Sequence, residues 1–152
     1  MTPEERLAEL GIELPAPNPA VGTYVGAVTV GDVVFVSGHG PYDGAEYVYR
    51  GKLGRDLDVA AGQEAARLTI VNLLASLKAE IGELDRVRRV VKLLVLVNSD
   101  PEFGEQPLVA NGASDLLVDV FGPERGRHAR SAIGMGALPF GISVEIEGIF
   151  AI

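Results

Sequence analysis

The chain has 152 residues and carries 13 Lys or Arg against 21 Asp or Glu, which gives a net charge of −8 with both histidines neutral. One domain of this length buries about two-thirds of its unfolded surface and needs no metal or disulfide to hold a core. The absence of cysteine excludes a disulfide scaffold, a Cys-ligated zinc site and a thiol nucleophile.

The acidic balance argues against nucleic acid as a partner, because a phosphate backbone is repelled on average. The basic residues form no long run, and their densest stretches are Arg86–Arg89 and Arg125–Arg130. No apolar stretch reaches the ~18 residues of a membrane span. Met1–Leu10 carries three Glu and lacks the apolar core of a signal peptide. The sequence therefore predicts no membrane segment and a cytoplasmic location.

The N-terminal 20 residues are predicted to form an arm that leads to a single domain over residues 21–152. Thr2-Pro3-Glu4-Glu5 has the form of a capping box with proline at the first helical position, so a short helix follows and ends near Gly11. The proline-rich stretch Leu14–Pro19 must then be extended or turn-like.

Hydrophobic periodicity predicts the remaining elements. Two strands, Tyr24–Val30 and Val33–Ser37, are joined by a hairpin turn at Gly31-Asp32, and a short third strand is predicted at Tyr47–Lys52. The later predicted elements are a helix at Asp58–Ile81, a strand at Arg88–Val97, a helix at Gln106–Phe121, and strands at Arg130–Ala137 and Ser143–Ile152.

This order of elements predicts helices on one face of a mixed sheet. The first long helix has one apolar stripe, and the second has an apolar set made of Leu108, Leu116, Leu117, Val120 and Phe121. The unbroken apolar run of the central strand is typical of a strand covered on both faces. Since two helices cover only one face, self-association is the simplest cover for the other.

Five features of the sequence suit chemistry on a small molecule, and each has a purely structural alternative. Arg130 opens a strand beside small residues, where its planar guanidinium can bind a carboxylate or form a structural ion pair. Glu145 and Glu147 lie on one face of a strand, roughly 7 Å apart. Either one of them acts as a general base near a bound water, or both simply face solvent at the edge of the sheet.

The other three features lie on a glycine-rich loop, at a strand start and in a helix. In Ser37-Gly38-His39-Gly40 the backbone amides can approach a ligand closely, or the segment is a plain turn. Tyr24 either stacks on a planar ligand or caps the core. Asn111 either reaches a ligand or bonds locally. Neither histidine has a second ligand at metal-binding spacing, so the sequence predicts no metal site.

Taken together, four segments in order resemble the reactive-intermediate deaminase (RidA, or YjgF) family, once labelled L-PSP endoribonucleases. They are Gly22–Val25, Val34–Gly38, Val90–Val97 and the run from Ala129 to Glu147. The last is the most specific, because it joins an arginine, a Leu-Pro turn and a Glu-x-Glu strand. The resemblance runs from about Val21 to Ile152, and the arm is not part of the usual short family pattern.

The resemblance implies an α+β, chorismate-mutase-like (YjgF/L-PSP) fold, with a mixed β-sheet and two long helices on one face. It also implies a homotrimer with clefts between its subunits. The implied activity is hydrolysis of reactive enamines and imines, such as 2-aminoacrylate and 2-iminopropanoate, to a 2-oxo acid and ammonia. This reaction takes a small-molecule carboxylate as its substrate and requires neither a metal nor an organic cofactor.

The same resemblance implies roles for individual residues. Arg130 matches the arginine that grips the substrate carboxylate, and Glu145 matches the carboxylate that positions or activates water. Tyr24 matches an aromatic residue that reaches the ligand from a neighbouring subunit. The residues predicted to bind the substrate are Tyr24, Ser37, Gly38, His39, Asn111, Arg130 and Ser131.

Two features depart from the usual family pattern. His39 stands where the family commonly has glutamine, and the Tyr42–Asp58 loop is longer. These departures leave an alternative open, in which the same trimer binds a small carboxylate without turnover and acts as a regulatory protein.

Overall fold

A five-stranded mixed sheet with two long helices on one face forms the body of the protein. The computed structural model describes all residues, 1–152. The elements are α1 (Pro3–Glu9), β1 (Ala27–Val30), β2 (Val33–His39), α2 (Val59–Ile81), β3 (Arg89–Asn98), α3 (Gln106–Gly126), β4 (Ala129–Met135) and β5 (Val144–Ala151). The strand order is β1-β2-β5-β3-β4, in which only β3 and β4 are parallel. None of the helices combines the length and the apolar character that crossing a membrane requires.

Helix α2 is the central helix of the core, and it forms where the sequence predicts it. The side chain of Asp58 accepts a hydrogen bond from the amide of Ala61 at 2.8 Å and caps the first turn. Gly82 ends the helix with a φ of 89°, a conformation that costs glycine little. Between these ends, the predicted apolar stripe is buried against the sheet and α3, with Ile70 and Leu73 fully inaccessible.

The sheet has one covered face and one open face. Alternate residues of the central strands, including Leu93, Val95, Ile146 and Phe150, are completely buried beneath the helices. On the opposite face lie Val28, Phe35, Leu94, Leu96, Ile133 and Ile149, together with the charged Lys92 and Glu147. Phe35 is 48% exposed there. The prediction of a second, largely apolar sheet face is therefore confirmed, although this face also carries three charged residues, the third being Glu145.

The arm packs on its own chain through α1. The Thr2 capping box forms as predicted, with hydrogen bonds in both directions to Glu5. Leu7 is buried in the main core. The carboxylate of Glu4 accepts a hydrogen bond from the amide of Leu84 at 2.7 Å and lies 3.7 Å from Lys78 Nζ. Leu7 and the Glu4 carboxylate thus attach α1 to the body of the protein, and Ile12 and Leu14 of the arm also pack against the core.

The predicted strand at Tyr47–Lys52 is wrong, because this segment makes only isolated bridges, from Tyr47 to Tyr42 and from Arg50 to Ile142. Positive φ angles at Tyr49 and Gly51 interrupt the extended backbone that a strand needs. The first strand also begins at Ala27 and not at Tyr24.

Leu108 was predicted in the apolar set of α3, and this too is wrong, because it is 44% exposed. The buried face of the helix begins one residue later, at Val109 and Ala110. Regular α3 ends at Phe121 as predicted, since Gly122 has a φ of 77° and only a short turn follows it.

Gly112 of α3 lies against the backbone of α2, and a Cβ atom there would overlap the carbonyl oxygen of Gln63. Gly112→Ala is therefore expected to destabilise the fold by about 2–3 kcal/mol, because two helix backbones must separate. Urea unfolding measures the loss. The matched control is Gly104→Ala, at a glycine with open space around it, for which we expect almost no change. Equal stability of the two variants would contradict this packing.

Candidate functional site

Glu145 lies on the open face of the sheet beside the glycine-rich end of β2. We call the group formed by Glu145, Tyr24, Ser37, Gly38 and Tyr47 the glutamate half-site. A bulge between Val36 and His39 shifts the register of β2 against β5. The hydroxyl of Ser37 donates to the carbonyl of Val25 at 2.6 Å and ties the bulge to the segment that carries Tyr24. The bulge thereby turns Ser37 and Gly38 toward the candidate site.

Gly38 lets the glutamate come close to the backbone of β2. A Cβ atom on Gly38 would lie 2.6 Å from Glu145 Oε1, so any larger residue there displaces the carboxylate from its present position. Burial of Glu145, and secondly the negative charge of Glu147, raise the pKa of this carboxyl above its ordinary value. Glu145 is thus suited to exchange protons with a bound water at a higher pH than a free glutamate.

Two tyrosines border this carboxyl. Tyr24 is 51% exposed, and its hydroxyl accepts a hydrogen bond from the amide of Val21 at 3.3 Å. The ring of Tyr47 stacks on Phe140 with centroids 5.3 Å apart, and it lines the same small pocket as Tyr24. Burial, followed by the nearby acidic groups Tyr24 and Glu145, raises the pKa of Tyr47. The phenol of Tyr47 therefore stays protonated beside the glutamate.

His39 lies behind the glutamate half-site, with its ring turned toward α2. It is only 8% exposed. Nδ1 lies 2.6 Å from the carbonyl oxygen of Ser37, and Nε2 lies 2.7 Å from the hydroxyl of Ser76. Because a carbonyl only accepts, Nδ1 carries the hydrogen and Nε2 accepts from Ser76. The imidazole holds the bulge from behind and also lines the small pocket that Tyr24 and Tyr47 border, so its contact with substrate stays a prediction.

Arg130 lies on the other face of the sheet, where β4 passes under α3. We call Arg130, Asn111, Ser114 and His128 the arginine half-site. Nη1 of Arg130 donates to Asn111 Oδ1 at 2.9 Å and to Ser114 Oγ at 3.1 Å, and Nη2 donates to the carbonyl of Pro107 at 3.3 Å. All three acceptors are neutral. Nε–H and one Nη2–H have no protein partner, and two such donors match a carboxylate.

The two half-sites of one chain do not meet. Arg130 pairs in register with Leu93, on the helix-covered face, whereas Glu145 pairs with Leu96, on the open face. Strand β3 and the thickness of the sheet separate the two side chains. Ser131 follows Arg130 and therefore points to the open face, where its hydroxyl lies 3.4 Å from Lys92 Nζ. Of the predicted residues, Asn111 is the one that the fold brings to Arg130.

Three further residues complete the half-sites without having been predicted, namely Tyr47, Ser114 and His128, and a fourth, Ser76, holds His39 behind them. Ser114 follows Asn111 at helical spacing and His128 lies two positions before Arg130, just ahead of β4, so both spacings were visible in the sequence. The remaining pair carried no such signal, because Tyr47 reaches the site through an irregular loop and Ser76 lies on the helix. No three His, Asp or Glu side chains converge to hold a metal ion.

Comparisons with known proteins give consistent matches along the chain. A family model described as "YjgF/chorismate mutase-like, putative endoribonuclease" matches residues 4–149. Protein TCP17 of Trypanosoma cruzi is 48% identical over 94% of this chain and 89% of its own. The crystal structure of Atu1372 from Agrobacterium tumefaciens, a protein of unknown function, has a TM-score of 0.90 and 47% identity, covering 99% of this chain and 92% of that one.

Other solved structures share the fold. One from Shewanella oneidensis, described as a "putative endoribonuclease", has a TM-score of 0.96 with 35% identity over all of both chains. TdcF of Escherichia coli, solved with bound serine, has a TM-score of 0.63 and 26% identity, covering 90% of this chain and 93% of that one. RidA of an Antarctic Psychrobacter has a TM-score of 0.58 and 31% identity, with 90% and 94% covered.

The buried His39 predicts a pH dependence of stability. Burial lowers the pKa of its imidazole, which the hydrogen bond to Ser37 only partly offsets. The unfolded chain therefore takes up this proton at a higher pH than the folded chain. Stability from this residue is full above about pH 6.5 and is lost as the pH falls below that value toward the folded pKa.

We expect the drop in unfolding free energy between about pH 7.5 and about pH 5 to be smaller in His39→Gln than in the wild type. Urea titrations at both pH values measure it. His128→Gln is the matched variant, because burial also lowers the pKa of that imidazole. Comparing the two variants shows how much of the pH dependence of stability comes from each histidine. An unaltered pH dependence in His39→Gln would contradict a neutral, buried His39.

Proposed function

The chain belongs to the YjgF/chorismate mutase-like family, and from this premise we propose that it is an enamine/imine deaminase. It hydrolyses reactive 2-aminoacrylate- and 2-iminopropanoate-type intermediates to 2-oxo acids and ammonia. One observation carries the proposal: Arg130 is held rigidly by neutral acceptors and keeps two N–H donors free. An arginine without a carboxylate partner, next to a cleft, is suited to a carboxylate ligand.

Orientation is the main requirement of this reaction, because an imine is already electrophilic. Arg130 fixes the 2-carboxylate through paired hydrogen bonds and so sets the position of C2. Asn111 and Ser114 hold the guanidinium in place, and their own spacing on α3 is fixed by the helix. The bound serine in TdcF supports a small amino-acid-like carboxylate as the ligand class.

Glu145 supplies the proton chemistry. Its carboxylate takes a proton from water as the water oxygen bonds to C2 of the protonated imine and the C=N electron pair moves to nitrogen, which gives a 2-amino-2-hydroxy acid. The carboxyl of Glu145 then returns the proton to this nitrogen. As the C–N bond breaks and ammonia leaves, the carboxylate takes up the hydroxyl proton, so that the 2-oxo group forms, and releases that proton to solvent. A raised pKa suits both halves of this exchange, because the same group must accept and then return the proton.

We further propose that the reacting cleft forms between two copies of the chain in a homotrimer. Arg130 and Glu145 lie on opposite faces of one sheet, so one copy by itself cannot place both on one substrate. A neighbouring copy that covers the open face buries Phe35 and Ile133 and brings its own half-site to the β4 edge. Association of the copies then both buries the apolar surface and completes the site.

A second candidate is a regulatory trimer that binds small carboxylates without turnover. The observation that favours it is His39, whose buried ring stands where the family commonly has glutamine. Such a protein still binds the ligand's carboxylate through Arg130 and does not need Glu145. Stabilisation by 2-oxo acids without release of ammonia would favour this candidate.

The two half-sites predict distinct kinetic defects. Arg130→Ala and Glu145→Gln are each expected to lower the rate of ammonia and 2-oxo acid release from freshly generated 2-iminopropanoate by about a hundredfold or more. Arg130→Ala weakens substrate binding as well, whereas Glu145→Gln lowers kcat with little change in KM. Arg88→Ala is the control, because this exposed arginine pairs with Asp32 away from both half-sites. Full activity in Arg130→Ala would exclude the proposed site.

A further inference from the structure

The two densest basic stretches of the sequence meet beside the arginine half-site. Arg89 of β3 donates to the carbonyl of Glu124 at 2.8 Å, and Arg125 pairs with Asp85 at 3.2 Å. Like Arg89, Arg127 and Arg130 form no ion pair with any carboxylate of the chain. In a protein with a net charge of −8, arginines left without acidic partners at one place call for an anionic partner from outside.

A pocket at the β4 edge collects these unpaired groups. It is lined by one apolar and four polar or basic residues: Ser114, Val118, Arg127, His128 and Arg130. Ser114 Oγ lies 2.9 Å from His128 Nε2 and accepts a hydrogen bond from Arg130, so the hydroxyl joins the two side chains. His128 Nδ1 donates to the carbonyl of Gly126 at 2.7 Å, which leaves Nε2 as the acceptor.

The spacing of the cluster suits a ligand with two anionic groups. His128 and Arg130 are two positions apart along an extended segment, so their side chains leave the same face roughly 7 Å apart. Arg127 borders the same pocket from its outer side. The basic groups of the cluster are therefore spread over more space than one carboxylate group fills.

Resting on the proposed function, we propose that the pocket binds a second anionic group of the substrate, so that the protein prefers imines of dicarboxylic amino acids over those of monocarboxylic ones. Arg130 binds the 2-carboxylate and Arg127 binds the distal carboxylate, while His128, whose two ring nitrogens are held by Gly126 and Ser114, lines the pocket beside them. This subsite is distinct from the group that binds the 2-carboxylate, because Arg127 and His128 lie outside the strand that carries Arg130.

His128 gives the subsite a pH signature. Burial, and then the positive charges of Arg130 and Arg89, lower the pKa of its imidazole, so the ring is neutral in the free protein near pH 7. The facing helix α3 contributes Ser114 and Val118 to the pocket and no carboxylate. A distal carboxylate offsets the neighbouring arginines and raises this pKa, so binding of a dicarboxylate takes up a proton and strengthens as the pH falls.

The test compares binding of pyruvate with that of oxaloacetate and 2-oxoglutarate by isothermal titration calorimetry. We expect the wild type to bind at least one dicarboxylate about tenfold or more tightly than pyruvate, the gain typical of one charge-assisted hydrogen bond. Arg127→Ala reduces this ratio of affinities toward one, and His128→Asn removes its pH dependence. Arg88→Ala, at the paired surface arginine, leaves the ratio unchanged. Equal affinities in the wild type, or an unchanged ratio in Arg127→Ala, would overturn the proposal.

Two further measurements distinguish dicarboxylates from other anions, and the subsite from the deaminase activity. Inorganic phosphate or a single-stranded RNA oligonucleotide that binds in an Arg127-dependent manner, while dicarboxylates do not, would overturn a dicarboxylate subsite. Turnover of 2-iminopropanoate together with equal affinities would refute the subsite and leave the deaminase intact. A dicarboxylate preference without turnover of any imine would support the subsite and refute the deaminase.

Discussion

A five-stranded sheet has two faces, and the two long helices of this chain cover only one of them. This constraint determines what each strand can present. Alternate residues of β3 and β5 fill the core beneath α2 and α3, so their neighbours must face outward. Glu145 lies on the uncovered face, whereas Arg130 lies under α3. The covering of one face thus both stabilises the chain and divides its candidate chemistry in two.

Each half-site holds one reactive side chain, Arg130 or Glu145, and a single chain does not bring the two together. Asn111 and Ser114 hold the Arg130 guanidinium with neutral acceptors, which keeps its charge available. On the other face, burial beside the close backbone of Gly38 keeps the Glu145 carboxyl ready to accept a proton. The neutral ring of His39 fixes the bulge that makes this approach possible. A second copy laid on the open face is the simplest way to unite an arginine and a glutamate prepared in this way.

The long helix α2 and the strand β3 could be predicted from the sequence because their apolar periodicity reflects burial, which is what stabilises them. The loop around Tyr47 could not, since positive φ angles and aromatic packing across distant segments determine its path. The pairing of Arg130 with Asn111 agrees with the family resemblance. The inward turn of His39 was beyond prediction, because the bulge that directs it depends on the register between β2 and β5.

The most direct measurement of the central claim mixes two inactive variants. Arg130→Ala and Glu145→Gln are unfolded together in equal amounts, refolded, and assayed for release of ammonia from 2-iminopropanoate. If each cleft joins the arginine of one copy to the glutamate of the next, about a quarter of the clefts regain both groups, and activity returns to about a quarter of the wild-type value. The control mixes Arg130→Ala with the double variant and stays inactive. No recovery in the first mixture, with both variants properly assembled, would contradict a site shared between copies.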